Sequence, residues 1–454
     1  MNQRVKISLY LALFLISAVT TEAQTDTFPT RHSDTILAPV ISGALARRHY
    51  HMFSYDPNDQ VDLVDVGRSW LKGSKDKRMD TVKQKGGKLH ISALPFAGYT
   101  LQTGFAGVVS SNFAFYTSEH SEANLSTVLT SITYSQYRQI IFPIQADIWT
   151  KGNKYNIVTD WRYLKYPSLT YGLGGNTKAD SGYNINYGYL RLHQAIMKTV
   201  AKDFYLGIGY DFDYFWNIQE VNPPAGKLTD FERYGLTKSS ISSGISLHFL
   251  YDSRRNLINP ENGGYLSVGY RPNFTFLGSD VNWQSLIFDL RKYIRFPGTT
   301  HNVLAFWSYD WFTTGSGNPP YLLLPSTGWD PYSNTARGYI QGRFRGRNML
   351  YLESEYRFGI TPNGLLGGVV FANAQSFSEP GSVGSGSPGG GSGGGNLGSG
   401  FPAGGNGRFE YVAPGYGLGL RISLNKFSRT NLCVDYGWGT HGSGGFFVNL
   451  GEVF

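Results

Sequence analysis

Few residues in this chain are arranged for covalent chemistry. Nine histidines are scattered through 454 residues, and of these His193 and His248 could sit with carboxylates, although single barrel histidines are more often luminal polar groups than catalysts. A histidine acts as a general base only beside a nucleophile that it can activate. Outside the glycine-rich stretch the chain has no Gly-x-Ser-x-Gly elbow, and it has no His-Glu-x-x-His helix and no paired cysteines, its single cysteine being Cys433. The glycines of 381–407 lack the Lys-Ser/Thr of a phosphate loop. No catalytic residue, metal site or cofactor is therefore expected. The chemistry that remains is ionic. Segment 314–347 carries Arg337, Arg343, Arg345 and Arg347 against one acid, Asp330, and the segment after it offers Glu353 and Glu355. Guanidinium and carboxylate match through paired hydrogen bonds. Such a pattern either fastens one segment to another or lines an aqueous lumen with basic groups that tune ion selectivity.

The elements that must hold these charges are strands. In 348–360, Leu350, Leu352, Tyr356 and Phe358 alternate with Tyr351, Glu353, Glu355 and Arg357. In 415–427, Leu418, Leu420, Ile422 and Leu424 oppose Gly417, Gly419, Arg421 and Ser423. In 280–296, Leu286, Phe288, Leu290, Ile294 and Phe296 oppose Asp289, Arg291, Tyr293 and Arg295, and 203–216 alternates in the same way. A period of two means strands. Their length and their charged second face fit apolar-out, polar-in barrel strands of about 9–11 residues.

Composition agrees. Aromatic residues make up 15%, with 31 Tyr and 29 Phe, and there are 57 Gly. Charged residues are 16%, well below the ~25% of a typical soluble domain. The net charge of +8 is dispersed among the strands, so nucleic acid is not an expected partner. Residues 1–23 read as a secretory signal, with Arg4 and Lys6 before an apolar run from Ile7 to Val19 and a small-residue cleavage site at Thr21-Glu22-Ala23. Residues 24–88 form a polar periplasmic segment, with a short amphipathic helix around Val61 to Leu71 (Val61, Val64 and Leu71 on one face) and a basic stretch from Lys72 to Lys88. Residues 89–454 form the barrel, with 379–407 a Gly-rich extracellular loop.

Counting alternating segments predicts an all-β fold, a sixteen-stranded antiparallel transmembrane β-barrel. Strands alone can cross a bilayer only when closed into a barrel, because every backbone group must be paired. With the last strand ending in the periplasm, the long connections 217–238, 314–347 and 378–414 all face outward and the connections at the other end are mostly short.

Three places carry a family resemblance. Ala336-Arg337-Gly338-Tyr339 resembles the VRGF-type motif of the BamA/TamA bacterial surface-antigen superfamily. Tyr251-Asp252-Ser253-Arg254, followed by Asn259-Pro260 and Gly264-Tyr265, is similar to that family's YDTR…NP…GxY turn. The stretch from Gly445 to Phe454 is similar to its closing strand. The resemblance implies that the Arg337 loop folds back into the lumen. Arg337 would dock on Glu355, Gly338 would allow the tight backbone, and Tyr339 would complete the motif. Asn373 stands where the family usually has Asp. The resemblance also implies that Phe446, Val448, Leu450 and Phe454 share one side of the last strand, as an insertion signal and part of the lipid-facing band. Pro95, which cannot donate to a ladder, marks the first strand as one edge of a lateral seam. The chain departs from the family in having no room for periplasmic receiving (POTRA) domains.

Three functions follow as expectations: a barrel in the outer membrane of a Gram-negative cell that assists insertion or translocation of proteins through its seam, a passive pore, or a structural barrel scaffolding partner proteins. Its partners would be outer-membrane lipids and client or neighbouring proteins.

Overall fold

The computed structural model describes residues 60–72, 89–100, 103–118, 123–226, 228–235, 237–298, 301–315, 317–378 and 409–454. The signal segment, the stretch from Lys75 to Lys88 and the Gly-rich 379–407 lie outside the described residues. The alternating segments become β1 (His90–Thr100), β2 (Gly104–Phe115), β3 (Ser126–Ser135), β4 (Ile140–Trp149), β5 (Tyr155–Lys165), β6 (Ser168–Thr170), β7 (Tyr183–Ala201), β8 (Phe204–Val221) and β9 (Ser239–Asp252). They continue as β10 (Gly263–Asn273), β11 (Trp283–Arg295), β12 (Val303–Thr314), β13 (Asn348–Gly359), β14 (Leu366–Ser378), β15 (Phe409–Asn425), β16 (Thr430–Trp438) and β17 (Gly444–Leu450).

β5 and β6 are one strand with a lapse. Lys165 faces Gly188 and Ser168 faces Ile185 on β7, in one unbroken register. Pro167 between them has no N–H to donate, so the ladder stops and resumes. Counted this way, sixteen strands cross, the number expected from the sequence. Each pairs antiparallel with its neighbour in the chain. β15 starts at Phe409, six residues ahead of the boundary expected at 415.

The faces separate as the alternation requires. On β13, Leu352 is 62% exposed on the outside, while Tyr351, Glu353, Glu355 and Arg357 are buried inside. On β8, Leu206 and Ile208 are exposed and Asp211 and Asp213 are buried. An apolar outer face around a charged interior inverts a soluble sheet and is stable only in lipid. The sheet curls until β1 and β17 lie alongside each other. Among the described residues, no helix is long and apolar enough to cross a membrane.

Helix α1 (Leu63–Lys72) packs beneath this wall. Asp62 and Asp65 cap it reciprocally: the Asp65 N–H donates to Asp62 Oδ1 at 2.9 Å and the Asp62 N–H to Asp65 Oδ2 at 3.3 Å. The same two carboxylates dock it. Lys426, in the β15–β16 turn, donates its N–H to Asp62 Oδ2 at 3.0 Å and its Nζ to Asp65 Oδ2 at 2.8 Å. The Val61 N–H donates to Asn363 O of the β13–β14 turn at 3.0 Å. The contact is therefore polar, and Val64 from the expected apolar face is 43% exposed. The reason is that turns offer N–H groups and an ammonium, which carboxylates satisfy and a valine cannot.

The end of the chain corrects another expectation. Phe446, Val448 and Leu450 lie on β17, and Phe446 is half exposed, but the strand stops at Leu450. Gly451, with φ +96°, turns the backbone inward. Phe454 is consequently not part of the lipid-facing band. It is 4% exposed and stacks on Trp307 at 5.1 Å between ring centroids, beneath the Arg357 guanidinium. Arg357 also donates to a Phe454 main-chain oxygen at 2.9 Å. An aromatic ring that finds Trp307, Tyr293 and a cation inside gains more there than one more apolar contact with lipid. Phe454→Ala should then empty a packed site and lower stability by about 3–5 kcal/mol. Urea unfolding of the refolded barrel checks this, with Phe446→Ala as the weaker comparison.

Candidate functional site

The connection between β12 and β13 is pulled into the barrel by its own polar turns. Tyr321–Leu323 forms a 3-10 turn whose side chains are all buried. The Asp330 carboxylate accepts the N–H groups of Tyr332, Asn334 and Thr335 at 3.2, 2.9 and 2.7 Å, which closes the loop tip. The one acid of this Arg-rich loop thus pairs with backbone, and its arginines must find partners elsewhere.

Arg337 is 1% exposed and finds three. One terminal nitrogen donates to both Glu353 and Glu355 of β13, and the other to Asp435 of β16. Its guanidinium lies over the Phe371 ring at 3.8 Å from the centroid. Asn373 donates its Nδ2 to the Arg337 carbonyl at 3.0 Å. Gly338 takes φ +108°, and a Cβ there would stand 2.7 Å from the Trp438 carbonyl oxygen. Gly437 on β16 is the matching notch, where a Cβ would lie 2.6 Å from the Gly338 nitrogen. Ser443 Oγ donates to the Gly338 carbonyl at 2.6 Å. The Tyr339 hydroxyl donates to Pro414 O at 2.6 Å and accepts the Thr440 N–H at 3.0 Å. Arg337, Gly338, Tyr339, Glu355 and Asn373 therefore meet at one place.

Sequence reasoning missed Asp435 and Arg421. Arg421 bridges Asp435 and Glu452, its Nε 2.8 Å from Glu452 Oε2, and Arg357 joins Glu355 at 2.7 Å to Glu452 at 3.6 Å. The available signal was alternation: Asp435 is the acid on the Cys433–Gly437 face of its strand. The other loop arginines do not line an open lumen. Arg343 donates to Thr177 Oγ1 at 2.8 Å and to the Thr177 carbonyl at 2.7 Å. Arg347 donates to Gly315 O at 2.9 Å. Arg345 donates to Tyr321 O at 2.9 Å and lies over the Tyr321 ring, and burial holds its guanidinium below the ordinary arginine value. Around the loop the upper lumen is packed with rings, among them Tyr189 and Phe215 stacked at 4.1 Å.

The two singled-out histidines sit in the lumen. His193 Nε2 lies 2.9 Å from Asp213 Oδ2, and His248 Nε2 lies 2.9 Å from Ser246 Oγ. Ser246 is 1% exposed, and no described residue hydrogen-bonds the second nitrogen of His248, so the pair lacks an orienting acid. Among the described residues no cluster of His, Cys, Asp and Glu could hold a metal ion. Pro95 is exposed on β1 and registers with Val109 of β2, so its strand presents its other edge to β17.

No known family profile matches the chain, and neither does any curated protein. Solved structures do. BamA from Haemophilus ducreyi lacking POTRA domains 1–3 shares 14% identity over 85% of this chain and 76% of its own, with a TM-score of 0.47. CdiB from Acinetobacter baumannii shares 12% over 80% and 60%, with 0.46, and CdiB from Escherichia coli 8% over 79% and 61%, with 0.47. The barrel is similar to those of BamA and CdiB. This chain spans about three-fifths of the length of either CdiB. Identities and scores this low carry neither a residue role nor an activity across to it.

Removing one partner of a buried ion pair costs about 3–5 kcal/mol because it strands the other charge. Arg337→Ala leaves Glu353 without a counter-charge and takes one partner from Glu355 and Asp435, which keep Arg357 and Arg421, while the ladders of β12 and β13 remain. The variant should stay folded and heat-modifiable, with the 315–347 loop cut by external protease where the unaltered chain resists. A protease-resistant loop in Arg337→Ala would mean that the remaining arginines and aromatic rings hold it unaided.

Proposed function

We propose that this chain is an outer-membrane barrel of the BamA/TamA kind that assists other polypeptides into or across the membrane at the seam between β1 and β17. One observation supports this most. Every other pair of neighbouring strands is joined by a ladder, whereas among the described residues β1 and β17 lie side by side without one. β17, at 7 residues, is the shortest of the sixteen crossing strands, and its end turns inward at Gly451. Unpaired N–H and C=O groups at a strand edge are a template for another extended chain. The luminal loop favours this reading over a passive pore, because its buried arginines and rings fill the upper lumen. Arg337 and its carboxylates act here as a latch that keeps the lumen shut while the seam works. Phe446, Val448, Leu450 and Phe454 would serve as an insertion signal only before folding, since Phe454 is afterwards enclosed.

The seam is tested with cysteines at Ser92 and Asn449, or one residue to either side, in a Cys433→Ser background. Oxidation should lock the first and last strands together and stop growth or client insertion, and reduction should restore both. Cross-linked cells that grow and insert clients normally would remove the seam from the mechanism. Co-purification of precursor chains from native membranes separates an assembly role from scaffolding, which would yield stable folded partners.

A further inference from the structure

The lumen that the loop leaves open is a cavity of about 600 Å3. Its charges are almost all matched. Asp160, Asp211 and Asp213 share Arg162, Arg191 and Arg271. Asp252 holds Arg254 through hydrogen bonds of 2.9 and 2.7 Å, and Asp289 holds Arg291 through 2.8 and 2.6 Å. Each set is neutral as a whole.

Asp147 on β4 is the exception. It lines the cavity and forms no ion pair among the described residues, since Arg254, whose charge reaches it, is already held by Asp252. Its contact is Asn156, which donates its amide to one carboxylate oxygen. Asn156 is fully buried, lines the same cavity, and has a side-chain carbonyl oxygen without a partner. Tyr332, at the tip of the luminal loop, lines the same cavity, and its neighbour Pro331 accepts a hydrogen bond from Gln145, two residues before Asp147 on β4. Although it stands deep in the lumen, Tyr332 is 45% exposed because it borders the cavity.

A carboxylate away from bulk water is stabilised as the anion by a counter-charge. One carboxylate and one amide are too few for a calcium ion, which takes six to eight oxygens. An ammonium or a guanidinium needs fewer acceptors, carries several N–H donors, and is attracted to an aromatic face. We propose that Asp147, Asn156 and Tyr332 form a luminal binding site for an organic cation, a primary ammonium or guanidinium group. The site stands whether or not the seam handles polypeptides. Its cation is either a free amine or a basic side chain of a polypeptide.

Isothermal titration of the full-length barrel in detergent uses two probes, putrescine and a short, otherwise neutral peptide with one arginine. Saturable one-to-one binding of at least one is expected. Binding of the peptide alone assigns the site to a polypeptide side chain, of putrescine alone to a free amine, and of both to the cationic group itself. Asp147→Asn keeps the size of the residue and should weaken binding about tenfold or more. Tyr332→Leu, outside the strands, should weaken it about threefold or more. Both variants should keep their heat-modifiable mobility. Tyr332→Leu alone decides the matter if Asp147→Asn does not fold. Binding of neither probe, an unaltered affinity in a folded variant, or displacement by equimolar sodium overturns the proposal.

Discussion

One guanidinium organises the upper half of this barrel. Arg337 reaches Glu353 and Glu355 on β13 and Asp435 on β16, so a single side chain of a loop ties strands separated by two others. A pair of this kind adds little net stability, because desolvating the charges offsets most of their attraction. What it supplies is geometry. The loop cannot slide along the wall without leaving Glu353 uncompensated and breaking two further ion pairs, and the surrounding contacts follow from that fixed point. Asn373 holds the Arg337 carbonyl, Gly338 and Gly437 touch backbone to backbone, and Tyr339 spans to Pro414 and Thr440.

The loop divides the lumen into two regions of different chemistry. On the β13–β16 side, arginines and carboxylates interlock, with Arg357 and Arg421 passing the charge down to Glu452 and so to the inward-turned end of the chain. On the other side, hydrogen-bonded Asp–Arg sets stand on the walls of an open cavity. The first region is full and locks an element in place. The second has room, and Asp147 lines it without an ion pair among the described residues.

Below the barrel, α1 repeats the latch on a smaller scale. Two carboxylates cap their own helix and also grip Lys426, so the polar N-terminal segment is held against the turns of β13–β14 and β15–β16. The same corner of the barrel thus receives the loop from above, the helix from below and the chain end from within. The β1–β17 seam receives no ladder at all among the described residues.

Period-two alternation determined the sixteen strands, because in lipid each side chain has one of two faces and each backbone group must be paired. It also determined that Glu353 and Glu355 point inward, and the Ala336–Tyr339 motif marked the loop that meets them. Tertiary structure decided the rest. Asp435 became the third partner of Arg337 because sheet curvature brings β16 beside β13 across the lumen, a distance that no sequence spacing encodes. Pro167 divided a strand without moving its register, since only one donor is missing there. Phe454 continued the apolar alternation of β17 yet left it, because Gly451 permits a positive φ and Trp307, Tyr293 and Arg357 wait inside. α1 chose its acidic cap over its valines because the turns above it offer donors. Local pattern assigns a residue to a face; which partner completes a buried charge depends on strands far away in the chain.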